Sequence, residues 1–148
     1  KEAFRAQIDI AAQMGLPLNI HLREATDDFF DIMEGCRHLG LRGNLHAYSG
    51  SYETFCRVQK YGDWRVGIGG VVTFKKASLA ETARRIPLER IVLETDSPYL
   101  TPTPHRGERN ESSYIPLIAA RIAELKGVGV EEVAAVTTAS ARELFNLK

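Results

Sequence analysis

The stretch Arg90-Ile91-Val92-Leu93-Glu94-Thr95-Asp96 passes from a charged start through three apolar residues to a pair of carboxylates. Its apolar part predicts a β-strand. Its end places Glu94 and Asp96 where unpaired carboxylates are costly unless they bind a cation or a donor. Three earlier runs have the same character: Leu18-Asn19-Ile20-His21-Leu22, Gly43-Asn44-Leu45-His46-Ala47-Tyr48 and Arg65-Val66-Gly67-Ile68-Gly69-Gly70. Ile20, Leu45, Ile68 and Leu93 recur at intervals of 25, 23 and 25 residues, the period of a βα unit around a parallel sheet.

Helix-period segments separate these strands. Phe4, Ile8, Ala11 and Ala12 form an apolar stripe that Gly15 and Pro17 stop. Thr26 is a candidate cap for a helix carrying Phe29, Phe30, Met33 and Cys36, ended by Gly40. Ser51 caps a segment with Phe55 and Val58 that closes at Gly62, and Ser78 with Glu81 forms an S-x-x-E capping box before Leu79, Ala83 and Ile86. After the fourth strand come a Pro- and Arg-rich loop, residues 97–110, a helix with Ile115, Ile118, Ile122 and Leu125, and a last helical stretch from Glu131 to Leu147.

The fold class is therefore α/β. A (β/α)8 barrel needs eight strands in about 250 residues, so four strands in 148 residues predict a partial TIM barrel. Residues 1–148 would be about the last four βα units of a single barrel, with the N-terminal half missing. The alternative is an open doubly wound sheet. Against it, no G-x-G-x-x-G turn follows the first strand, and polar residues gather at the C-terminal ends of several strands, where barrels place their chemistry.

Bulk properties narrow the setting. Nineteen basic and nineteen acidic residues leave no net field to draw in nucleic acid or membrane, so recognition of phosphate must be local. No apolar run approaches the roughly 20 residues of a membrane span. Cys36 and Cys56 form neither a C-x-x-C pair nor a disulfide ladder, which favours a reducing, cytoplasmic setting. The opening KEAFRAQIDIAAQMG is amphipathic and lacks an initiator Met, so a native start is not expected.

His21, His46 and Asp96 fall at or near the ends of three strands, and closure of the sheet would aim them at one rim. Imidazole and carboxylate are ligands for zinc, manganese and other divalent ions. A lone strand histidine is as readily a satisfied core residue; two histidines and an aspartate in register favour a metal site. Glu94 has the competing role of capping the following loop. Arg23, two residues after His21, could clamp an anionic group or pair with Glu24 or Asp27. Arg106 and Arg109 lie in the loop region where barrels build phosphate sites, or on a solvated loop. The pairs Lys75-Lys76 and Arg84-Arg85 read as solvated faces, and Gly69-Gly70 as a weak signal of close backbone approach. Trp64, Tyr48 and Tyr99 read first as packing residues and only second as stacking surfaces for a base. No serine or cysteine nucleophile has a recognisable local context.

Taken in order, Ile20-His21-Leu22-Arg23-Glu24-Ala25, Leu45-His46-Ala47-Tyr48-Ser49-Gly50, Gly67-Ile68-Gly69-Gly70, Leu93 to Leu100 and Arg106-Gly107-Glu108-Arg109-Asn110 resemble the TatD family of metal-dependent deoxyribonucleases across nearly the whole chain. The resemblance implies a TIM-barrel hydrolase with two divalent metal ions, magnesium, manganese or zinc. His21 and His46 would hold one ion, while Asp96 would bind the other and act catalytically on the attacking water. Arg23, Arg106 and Arg109 would contact substrate phosphate, and DNA would be the substrate.

The family's His-x-His pair and bridging Glu lie upstream of the residues present here, so the resemblance implies that this stretch by itself is impaired as an enzyme. Smaller departures are Ala47-Tyr48 for Cys-Phe, Ser112 for Pro, and Ser140 for Asn. Two readings compete with a nuclease: a related metal hydrolase of lactones, amides or phosphotriesters, and an inactive half-barrel assembly module. A half-barrel with two unpaired sheet edges is expected to self-associate or pair with its missing half.

Overall fold

A computed structural model describes all 148 residues. Helix α1 (Glu2–Met14) leads into strand β1 (Leu18–His21), and three βα units follow: α2 (Thr26–Glu34) to β2 (Leu41–His46), α3 (Tyr52–Val58) to β3 (Gly62–Ile68), and α4 (Leu79–Arg85) to β4 (Ile91–Leu93). Helices α5 (Ile115–Lys126) and α6 (Val130–Phe145) complete the chain. The four strands are parallel and lie in the order β1-β2-β3-β4. That unbroken order removes the doubly wound alternative, in which the strand order reverses at a switch point.

The alternation of each strand sorts its side chains onto two faces. One face is apolar, with Leu45, Trp64, Val66, Ile68 and Ile91 buried against Ile8, Phe30, Met33, Val58 and Ile86 of the helical layer. Trp64, a stacking candidate on sequence, lies wholly in this core, its ring edge-on to Phe29 at 6.3 Å. The opposite face carries Asn19, His21, Asn44, His46, Gly67 and Glu94, and its upper end forms the site described below.

The strand boundaries depart from the sequence expectation. Strands β2 and β3 begin earlier, at Leu41 and Gly62, and β4 ends at Leu93. Leu45 is level with Val66, two residues before the expected Ile68, whereas Ile20 with Leu45 and Ile68 with Leu93 pair as their spacing suggests. An even offset keeps the same face inward, so the stagger costs no burial. The last ladder bond of β4 runs from Glu94 N–H to the Ile68 carbonyl, 3.2 Å, so Thr95 and Asp96 extend past the sheet.

Capping is mixed. Ser51 Oγ accepts the Thr54 N–H at 3.2 Å as expected. Thr26 is instead the first residue of α2, behind Ala25, and Ser78 precedes α4 without a side-chain cap bond. Helix α2 stops at Glu34, and Gly40, in the left-handed region, ends a separate short turn. Buried Arg65 ties α6 to the sheet: its guanidinium pairs with Asp63 and, at 2.7 Å, with Glu143, while Nε donates to Ser140 Oγ at 3.3 Å. Ser140 Oγ in turn donates to the Glu89 carbonyl at 2.8 Å, so the serine that departs from the family's asparagine still bridges helix and strand.

Candidate metal and hydrolytic site

His21 and His46 end neighbouring strands at the same level, with ring centroids 5.9 Å apart. His46 is the better anchored. Its Nδ1 lies 2.9 Å from Glu94 Oε1, and its Nε2 lies 2.9 Å from Asp96 Oδ1. Glu94 also accepts the backbone N–H of Ala47, and its Oε2 receives Asn44 Nδ2 at 3.4 Å. Asn44, itself buried, donates the same amide to Asn19 Oδ1 at 2.9 Å. Glu94, for which the sequence alone leaves loop capping as a competing role, is thus the carboxylate that fixes the His46 ring.

Local backbone geometry makes room for this carboxylate. A Cβ on Gly67 would fall 2.0 Å from Glu94 Oε2, so only glycine leaves space for it. Ala47 takes φ 47°, in the left-handed region that non-glycine residues rarely enter, and so turns its N–H towards Glu94 at the end of β2. Glu24 at 52° and Leu100 at 55° do the same beside the cleft, and backbone strain of this kind gathers at functional sites.

The protonation logic follows from the contacts. A ring whose Nδ1 donates to Glu94 presents Nε2 to Asp96, and two acceptors at 2.9 Å repel unless a proton or a cation lies between them. Burial alone would lower the His46 pKa; the hydrogen bond and charge of Glu94, then Asp96, outweigh it and raise the pKa above the ordinary histidine value. Adjacent ligands of an octahedral ion, each about 2.1 Å from it, stand about 3.0 Å apart. The spacing of His46 Nε2 and Asp96 Oδ1 fits neighbours on one divalent ion, which differs from the division the family resemblance implies, with His21 and His46 on one ion and Asp96 on the other. No group of three or more His, Cys, Asp and Glu side chains is arranged to hold a metal by itself. The chain supplies a matched pair, with His21 alongside.

Beside these groups lies a cleft of about 240 Å³, lined among others by His21, Arg23, Tyr48, Gly69, Glu94 and Asp96, while His46 lines an adjoining hollow of about 230 Å³ that shares Arg23 and Tyr48. Strand β1 ends before Arg23, yet Arg23 still reaches the cleft wall. Gly69 lines the cleft; at Gly70 a Cβ would meet the Leu100 carbonyl at 2.2 Å, so the close approach there is made by the following loop. Tyr48 is buried, its hydroxyl donating to the Ser51 carbonyl at 2.6 Å, and Tyr99 is exposed. Arg106 and Arg109 do not line this cleft: Arg106 lies over the Phe74 ring, 3.6 Å from its centroid, and Arg109 is exposed. A larger hollow of about 380 Å³ among β4, α5 and α6 carries no His, Asp or Glu on its wall.

Comparison with known proteins points the same way. A family model described as TatD related DNase matches residues 1–146. The chain is 43% identical over 150 residues to an uncharacterized metal-dependent hydrolase, YabD, of Bacillus subtilis, covering 99% of the chain and 58% of that protein. It is 34% identical over 151 residues to the 3'-5' ssDNA/RNA exonuclease TatD of Erwinia amylovora, covering 98% and 58%. Among solved structures, the TatD homologue YJJV of Escherichia coli K12 superposes with a TM-score of 0.82 at 25% identity, over 96% of this chain and 54% of that one. A TatD family hydrolase of Entamoeba histolytica shares the fold with a TM-score of 0.83 at 20% identity, over 98% and 56%. The chain spans about half the length of the curated relatives it matches.

Proposed function

We propose, from the premise that this chain belongs to the TatD related DNase family, that its rim cluster is part of a metal-dependent hydrolase site that cleaves phosphodiester bonds of DNA. The observation that carries this reading is His46 held between Glu94 and Asp96 with His21 beside it. Nucleic acid as the substrate class is supported by the activity that names the Erwinia relative.

The four βα units are read as an arc of a (β/α)8 barrel, residues 1–148 forming the C-terminal part of one domain; the unbroken parallel order supports this. His21, His46 and Asp96 would hold divalent ions, two in the complete site, with magnesium, manganese or zinc all compatible with nitrogen and oxygen donors. Bound there, such an ion polarises the phosphodiester and lowers the pKa of water towards neutrality. Asp96 would also accept the proton of the attacking water, and Arg23 on the cleft wall would hold a phosphate oxygen by a charge-assisted hydrogen bond. Glu94 would keep Nε2 of His46 aimed into the site. The open edges at β1 and β4 support self-association or pairing with further sheet, readable as mass in solution by light scattering. No helix is long and apolar enough to cross a membrane, and the two cysteines are unpaired, which fits a reducing compartment such as the cytoplasm.

The test is cleavage of a 5'-labelled DNA strand with added manganese or magnesium, comparing the chain with Asp96→Asn. Metal-dependent cleavage that disappears in the variant is expected, slow because the chain carries only part of the ligand set. Cleavage that survives both chelation and the substitution would overturn the assignment.

A further inference from the structure

The short turn Gly70–Thr73 after β3 and the loop of residues 97–110 run outward from the cleft side by side. Gly70 and Leu100 both line the cleft. Further out, Thr103 N–H donates to Thr73 Oγ1 at 2.9 Å, and Thr73 Oγ1 donates to the Gly70 carbonyl at 2.7 Å, which locks the two segments together. Beyond that lock the Arg106 guanidinium stacks on Phe74, and a hollow of about 290 Å³ opens among Phe74, Lys75, Lys76, Thr103 and Arg106.

This hollow has three cations on its wall and no carboxylate. Lys75, Lys76 and Arg106 are exposed, and none makes a side-chain hydrogen bond or ion pair, whereas six of the chain's thirteen arginines are paired with Asp or Glu. In a chain with no net charge such a cluster is a local positive field. Stacking on Phe74 holds the Arg106 plane while leaving its N–H edges free for donation. Lys75 follows Val71, on the cleft wall, by four residues, a reach of at most about 14 Å.

We infer that Phe74, Lys75, Lys76 and Arg106 form a phosphate-binding extension of the cleft that grips single-stranded nucleic acid a few nucleotides from the bond to be cleaved. The inference rests on the nuclease reading above, and it assigns a role to Lys75 and Lys76 that their appearance as a short solvated basic pair does not suggest. Each neutralised phosphate of a single strand adds about −0.7 to the slope of log K against log salt.

The experiment is fluorescence anisotropy with phosphorothioate oligodeoxynucleotides, which resist cleavage, of about four and about twelve nucleotides, a span typical of single-strand sites. The chain is compared with Lys75→Gln/Lys76→Gln and with the charge-preserving Lys75→Arg/Lys76→Arg. Expected is tighter binding of the longer strand, lost in the Gln variant, retained in the Arg variant, with a salt slope shallower by about 1.4. That change is worth about sevenfold in affinity between 50 and 200 mM salt. An unchanged slope and length dependence in the Gln variant would overturn the extension while leaving the cleft reading intact. Equal loss for both lengths would place the lysines at the cleft itself, also against it. Failure of the unaltered chain to bind either strand would overturn the nucleic-acid reading and the extension with it, and preference for anionic vesicles over both strands would assign the cations to a membrane.

Discussion

Two polar clusters sit at opposite ends of the same parallel sheet, and they differ in charge balance. Near the N-terminal ends of β3 and β4, Asp63 pairs with Arg65 and Arg90, and Arg65 also pairs with Glu143 of α6, so two guanidinium groups meet two carboxylates. At the C-terminal ends, Glu94 and Asp96 converge on one imidazole. The first cluster is balanced in charge and fastens helix α6. The second sets two carboxylates against one imidazole, and under the proposed reading a divalent ion would supply the balancing charge. The two clusters therefore differ in charge balance, although both are partly buried and both are rich in carboxylates.

The contrast can be broken first at the balanced end. Arg65→Ala removes a buried guanidinium, leaving Asp63 with Arg90 alone and Glu143 without a partner. A loss of about 2–3 kcal/mol in denaturant titration is expected, below the roughly 3–5 kcal/mol of a fully buried pair because both carboxylates reach solvent. A change under about 0.5 kcal/mol, the scale of an ordinary surface substitution, would mean that α6 is held by apolar contacts alone.

Glu94→Gln tests the other end. Removing the carboxylate that orients a metal-binding histidine costs about 10–100-fold in metal affinity. Calorimetric manganese titration should show that loss, and unaltered affinity would reduce Glu94 to a loop cap. A smaller effect is expected at Ser140→Ala, about 1 kcal/mol of stability from the bonds to Arg65 and the Glu89 carbonyl.

The pH dependence should have opposite signs at the two ends. Burial raises the Asp63 pKa, but its bonds to Arg65 and Arg90 outweigh this and leave it below the ordinary aspartate value. Its stabilisation is present above that ordinary value and is lost as pH falls through the folded-state pKa. The raised pKa of His46 makes its contribution complete below the ordinary histidine value and lost as pH rises through the folded one. Melting of the metal-free chain across pH should therefore weaken on both sides, with His46→Gln removing the alkaline limb only. Survival of that limb in the variant would contradict the imidazolium bridge.

Much of this was legible in the sequence. The 25-, 23- and 25-residue spacing and the β-branched runs identify four parallel strands. Strand alternation suffices to put His21, His46 and Glu94 on one face. What the sequence concealed depends on neighbours distant in the chain. The early start of β3 is set by pairing of Gly62 with Leu41. Thr26 and Ser78 match cap preferences, but a cap needs the residue before the helix to be extended, and Ser78 is already helical. Glu94 was ambiguous because its role depends on Gly67, whose missing side chain makes room for the carboxylate, and on the positive φ of Ala47. Loop membership alone groups Arg106 with the cleft, whereas its place over the Phe74 ring sets it further out.

The most direct test of the central contrast is manganese binding followed by electron paramagnetic resonance, comparing the chain with Asp96→Asn and with Asp63→Asn. The expected result is that Asp96→Asn loses at least about tenfold in affinity with little change in stability, while Asp63→Asn loses stability and keeps its affinity. Equal manganese affinity in the unaltered chain and in Asp96→Asn would contradict it.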